Sequence, residues 1–198
     1  MADSYHHGDL RSAVIARAVD VIAAAGPDAF SLRSLATDLG VSHTAPRHHF
    51  GDRRGVLTAI AADGFAELAE RLAAVRRAGE PFLEQGVAYV EFAVAHPAHF
   101  QVMFTPTLLD QQDEALVTAR SATFAELRAG VDRMSDGSGR QDAAAAVIAA
   151  WSLVHGVATL GLTGNLDASD LRELLGAGDL SDVTRRSAAL LYGSPSSR

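Results

Sequence analysis

The sequence predicts an all-α protein, with three short N-terminal helices, a long linking helix and an all-helical remainder. Three observations carry that expectation. Apolar residues recur at spacings of three and four through most of the chain, with no strand-like alternation and no internal repeat. Of the 198 residues 48% are hydrophobic, Ala is abundant and only 6 are Pro. Gly26-Pro27, Gly40, Gly79–Pro81 and Thr105-Pro106 separate successive periodic stretches.

The elements follow in order. A first helix is expected over 9–25, with Leu10, Val14, Ala18, Val21, Ile22 and Ala25 on one face and Gly26-Pro27 ending it. Ser31 opens a second helix as its N-cap, and Leu32, Leu35, Ala36 and Leu39 make its core stripe. Gly40 sits where the chain must turn through the left-handed region, and Val41 plugs the corner. Ser42 is expected to cap a third helix carrying His43, Thr44, Arg47, His48 and His49 before Phe50 returns to the core. Ala36 and Gly40 are the small residues that a helix-turn-helix needs for close approach and a sharp turn.

Asp52 then caps a long helix to about 78, with Leu57, Ile60, Phe65, Leu68 and Leu72 inward. After the Gly79–Pro81 break a helix spans about 81–95, and Pro97 restarts a short one that Thr105-Pro106 stops. Further helices are expected over about 110–134, 141–163 and 180–192, with a loop at 136–139 and a fraying tail. The 141–163 helix is apolar nearly all round, so it must be covered on more than one side. A second subunit would supply that cover.

Composition narrows the classes of function. There is no Cys, which excludes a disulfide scaffold and thiolate chemistry and suits a reducing cytoplasm. No apolar run of about 18 residues is expected, hence no transmembrane helix and no membrane partner, and the polar start is no secretory signal. The net charge of −7 argues at first against a nucleic-acid partner. Its distribution answers that: residues 1–54 hold six Arg against six Asp, plus five His, and the whole acidic excess lies beyond them. All 17 basic residues are Arg, which suits bidentate contacts to phosphate and guanine but is more simply a codon-composition bias. A short Ser-capped helix covered with donors fits a major groove better than a catalytic pocket.

The run Ser31-Leu-Arg-Ser-Leu-Ala36, then Gly40-Val41-Ser42, His49-Phe50, Arg53 and Leu57, resembles the tetracycline-repressor (TetR) family of one-component bacterial regulators. That resemblance is strong over about 8–57 and architectural elsewhere. More narrowly, YHHGDLR at 5–11, VSHTAP at 41–46 and WSLVHG at 151–156 resemble the subgroup with a Trp-His-Gly C-terminal domain. The family implies a DNA-binding domain over 1–54 and a ligand-binding and dimerisation domain over 55–198. It further implies a homodimer, here through 141–163 and 180–192, that binds double-stranded DNA and is released by a small-molecule effector. Repression is the family expectation.

The candidate DNA-contacting set is Tyr5, His6, Arg33, Ser42, His43, Thr44, Ala45, Arg47, His48, His49 and Arg53. Ser42, Thr44, Arg47, His48, His49 and Arg53 enter by residue match, and Tyr5 and His6 as an arm near the DNA backbone, in preference to a histidine metal pair with His7. Thr44 and Arg47 are expected at base edges. Ser42, His49 and Arg53 are expected on the backbone, with Arg53 where the family usually has a phosphate-contacting Lys. Two departures stand out: Arg47 replaces a usual Tyr, leaving its role open, and Pro46 replaces a core apolar residue and should stiffen the helix entry.

A candidate effector cavity is lined by Tyr89, Phe92, Phe100, Met103, Phe104, Phe124, Trp151 and His155, although aromatic stripes at helical spacing are as readily plain core. Trp151 and His155, four apart, share a helix face. Such a pocket would be apolar with few hydrogen bonders, and would favour a neutral or weakly acidic organic molecule. The rival class is a small helical enzyme using His96, His99 and His155 for acid–base or metal work. No nucleophile–base pair, phosphate loop or metal motif accompanies them, and no cofactor is expected. A purely structural dimer is the third class.

Overall fold

The computed structural model describes residues 7–134, 143–167, 173 and 178–192. Every regular element among them is helical, as the periodicity predicts. Tyr5, His6, the loop at 136–139 and the C-terminal tail fall outside the described residues.

The elements are α1 (His7–Ala25), α2 (Leu32–Asp38), α3 (Ala45–Phe50), α4 (Arg53–Arg77), α5 (Phe82–Ala95) and α6 (Pro97–Met103), then a 3-10 turn at Pro106–Leu108. They continue with α7 (Glu114–Met134), α8 (Ala143–Leu162) and α9 (Leu180–Tyr192). Helix α7 begins four residues later than expected because the Asp113 carboxylate accepts from the Leu116 N–H and fixes the N-terminus there. The chain forms two compact units, one of residues 1–65 with 97–119, the other of 66–96 with 120–198. Compactness thus groups α6 with the N-terminal helices, whereas the expected boundary at 54/55 followed the motif.

In the first unit Val14, Ala18, Ile22, Leu35, Leu57 and Ile60 are buried. Helix α6 packs on α1, with Met103 lying against Gly64 so closely that a Cβ there would meet its sulfur at 2.6 Å. The N–H of Asp110 donates to Thr58 Oγ1 (2.9 Å), tying the segment after α6 back to α4.

The second unit is built around α5, packed against α8 and α9. Gly86 admits α8, since a Cβ there would sit 3.0 Å from Val154 Cγ1. Arg185 on α9 forks onto both oxygens of Glu84 (3.0 Å each), and Ser181 donates to Glu91 (3.0 Å). Buried Gln85 donates to the carbonyl of Leu72 (2.9 Å), so α4 and α5 share a polar anchor inside the unit.

Helix α8 corrects one expectation. Its 20 uncharged residues, with mean hydropathy 1.7 over an 18-residue window, are long and apolar enough to cross a membrane by length and composition. The core helix of a globular protein passes the same test, and α8 packs on α5 and α9. Only 22% of that window is buried, so much of its apolar surface faces outward in this single chain.

Candidate functional site

The helix-turn-helix is built from local signals. Ser31 Oγ accepts from the Ser34 N–H (3.0 Å) while Ser34 Oγ accepts from the Ser31 N–H (2.9 Å), a reciprocal capping box that starts α2. Gly40, at φ 66°, turns the chain through the left-handed region, and the Val41 N–H returns to the Ala36 carbonyl (3.0 Å).

The second helix starts later than the sequence suggests. Ser42 is not its cap: Ser42 Oγ lies 2.8 Å from Thr44 Oγ1 and accepts from the Thr44 N–H (3.3 Å), making a polar turn ahead of the helix. Thr44 is the N-cap residue without a side-chain cap bond, and α3 runs only from Ala45 to Phe50. The cause is Pro46. Lacking an N–H, it is best placed in a helix's first turn, where that donor has no partner to lose. It is buried and holds α3 to the core. Ser42, His43 and Thr44 therefore sit on the turn, while Arg47, His48 and His49 sit on the helix.

All six of these side chains are exposed, and Ala45 is half-buried. His43 Nε2 lies 3.4 Å from Thr37 Oγ1. Thr44, Arg47 and His48 are thus on the surface, where the proposed groove reading needs them. Arg33, in the first turn of α2, is likewise exposed.

Arg53 has a different setting. Its Nη2 donates to Asp28 Oδ1 (2.6 Å) and to the Pro27 carbonyl, and its guanidinium lies 5.5 Å over the Phe30 ring. Its Nε is buried without a partner. None of this is visible in sequence, because the partners lie more than 20 positions upstream.

The eight aromatic and thioether candidates divide between the units. In the first, Phe100 packs on Phe104 (4.9 Å) and Phe104 on Phe65 (5.6 Å, edge-on), with Met103 against Gly64. In the second, Phe92 is fully buried, stacked on His96 (5.0 Å) and covered by Arg71 (5.8 Å). The remaining four form a cluster. Phe124 meets Trp151 edge-on (5.3 Å), Trp151 lies against His155 (5.8 Å), and Tyr89 OH is 2.9 Å from His155 Nδ1. Trp151 Nε1–H donates to the same Tyr89 oxygen (3.4 Å).

Chemistry fixes the direction of the indole bond in that cluster. An indole N–H only donates, and burial pushes the Tyr89 phenol above its ordinary range, so it keeps its proton. Tyr89 therefore accepts from Trp151 and is hydrogen-bonded to His155 Nδ1. Burial lowers the His155 pKa, so the ring is neutral at pH 7.

The histidine set of the rival enzyme reading is dispersed among separate tasks. His96 lies 3.2 Å from Glu67 and 3.1 Å from Arg71 Nη2, His155 is bonded to Tyr89, and His99 belongs to the first unit. Among the described residues no three His, Cys, Asp or Glu side chains gather at metal-binding distance. An open groove of about 350 Å³ in the first unit is lined by residues such as Ile15, Val19, Asp20, Asp63 and His99, none from the aromatic set.

Comparison with known proteins adds kinship. Residues 82–177 match the family model of the tetracyclin repressor-like C-terminal domain. No curated protein matches the sequence. Among solved structures, a protein of unknown function from Rhodococcus sp. RHA1 is 32% identical, with 97% of each chain covered and a TM-score of 0.77. PfmR, a TetR family transcriptional regulator from Thermus thermophilus, is 21% identical, with 90% of this chain and 96% of its own covered and a TM-score of 0.67. A bacterial regulatory protein in the TetR family from Rhodococcus RHA1 is 19% identical, with 92% and 94% covered and a TM-score of 0.67. The last two likenesses are likenesses of fold.

Proposed function

We propose that this chain is a TetR-family protein, a homodimeric, ligand-responsive transcriptional regulator that represses by binding a palindromic operator. The match of residues 82–177 to the tetracyclin repressor-like C-terminal domain supports that reading. The observation that carries the reading is the sorting of the helix-turn-helix. Leu35, Ala36 and Pro46 are buried, while Ser42, His43, Thr44, Arg47 and His48 are all presented outward. A polar turn and helix held on an apolar base is what a major groove accepts. Thr44 and Arg47 would reach base edges, and Ser42 and His49 the backbone. Two-fold symmetry then requires half-sites about 34–36 Å apart, or a multiple of that spacing.

The dimer would form through α8 and α9. Ile148 is 60% exposed and Leu190 88% exposed in the single chain, apolar surface that a second copy would cover. The effector would meet the Tyr89, Phe124, Trp151 and His155 cluster, which supplies aromatic faces with few polar groups. Trp151, His155 and Gly156 also favour the Trp-His-Gly subgroup. Effector and operator would oppose each other through one coupling free energy, typically about 1–3 kcal/mol.

Selection from a library of randomised duplexes tests this directly. An inverted repeat should emerge, retained in a salt-dependent manner. Retention with no sequence preference, or none at all, would overturn the reading.

A further inference from the structure

The six arginines of residues 1–54 separate into two groups. Three are already engaged. Arg17 donates to Asp38 Oδ2 (2.9 Å), Arg11 lies 3.9 Å from Asp63 and 5.9 Å over the Phe50 ring, and Arg53 is held by Asp28, Pro27 and Phe30. The other three, Arg33, Arg47 and Arg54, are exposed, and their side chains form no hydrogen bond or ion pair with any described residue.

Arg53 and Arg54 are successive residues at the start of α4, and in a helix successive side chains diverge by about 100°. Arg53 points back onto the loop between α1 and α2, where its guanidinium has a carboxylate, a carbonyl and a ring. Arg54 therefore leaves the helix on another side, into solvent. The turn beneath both is capped. Asp52 Oδ1 accepts from the Gly55 N–H (3.0 Å), and Gly51 sits at φ 71°.

We infer that Arg54, and not Arg53, supplies the backbone phosphate contact at the start of α4, while Arg53 is a positioning residue that braces α4 against the α1–α2 loop. This rests on the DNA-binding reading above. A phosphate would compete for Arg53 against an intramolecular carboxylate only 2.6 Å away. Arg54 meets no such competitor, so its full charge is available for counterion release.

Fluorescence anisotropy with a labelled duplex of random sequence, roughly three helical turns long, tests the assignment in the full chain when titrated across a salt series. Arg54→Met should lower the slope of log K against log salt by about 1.8, one phosphate equivalent of about 0.9 from each protomer of the dimer, with the melting temperature unchanged. Arg54→Lys should restore the slope. Arg53→Met should keep the wild-type slope and lower the melting temperature. A slope unchanged in Arg54→Met, or reduced in Arg53→Met, would overturn the assignment while leaving the DNA-binding reading intact. Absence of any salt-dependent binding by the wild-type chain would overturn both.

Discussion

The Tyr89 hydroxyl is hydrogen-bonded to Nδ1 of His155 across 2.9 Å, joining two helices from residues 66 positions apart. Because Trp151 donates to the same oxygen, one phenol satisfies two other polar groups. Tyr89→Phe should leave the indole N–H and the imidazole Nδ1 without that partner. Urea denaturation should record a loss of about 0.5–1.5 kcal/mol, the net contribution of a typical hydrogen bond. A loss indistinguishable from zero would show that the cluster contributes no stability.

The same histidine sets a pH dependence. Burial lowers its folded-state pKa below the ordinary 6.5. As pH falls below 6.5 the unfolded chain takes up the proton first, so stability declines towards the lower, folded pKa. Well above that value both states are neutral and the contribution is flat. The melting temperature of the wild type should therefore fall more steeply as pH drops below 6.5 than that of His155→Gln. Parallel curves would contradict the assignment.

Gly55 carries the corner between α3 and α4. A Cβ there would collide with the carbonyl oxygen of Phe50, a backbone atom that cannot swing aside. Gly55→Ala should cost about 1–3 kcal/mol in thermal unfolding, in the range of overpacked sites. It should also weaken duplex binding, because α3 must shift on α4. An unaltered melting temperature together with unaltered DNA affinity would mean that the corner is pliable.

Ile148 and Leu190 test the dimer. Each is exposed in the single chain, so a charge at either should spare the fold while opposing association. Ile148→Glu or Leu190→Glu should weaken the dimer by at least about 30-fold, equivalent to a hot-spot loss of about 2 kcal/mol. Sedimentation velocity at several concentrations reads this out, with circular dichroism as the check on folding. Dimers of undiminished affinity in both variants would move the interface elsewhere.

Trp151 is the only tryptophan, so its fluorescence reports on the aromatic cluster alone. Small neutral or weakly acidic organic molecules that shift its emission should also release the protein from its selected operator. The two titrations should share one midpoint when corrected for DNA linkage. Compounds that quench Trp151 without any change in DNA affinity would place the effector site away from Phe124 and Tyr89.

The helices were legible in the chain because their signals are local. The capping box at Ser31 and Ser34, the stop at Gly26 and the turn at Gly40 each act within one helical turn. The same is true of the polar face at 42–49, whose spacing reveals its exposure without knowledge of any partner. Even the misplaced start of α3 was a local matter, in which Pro46 outweighed Ser42 as the determinant of the first turn.

Tertiary structure alone decided which chemically similar side chains are committed. Arg53 and Arg54 are identical in sequence terms, yet a carboxylate 25 residues upstream engages the first. Of the candidate ligand residues, Phe100 and Phe104 went to one packing cluster and Trp151 to another, through contacts between separate helices. Periodicity specifies that a residue turns inward, because that depends on a helix's own geometry. It does not specify what the residue meets there, because the partner is brought by chain folding from far along the sequence.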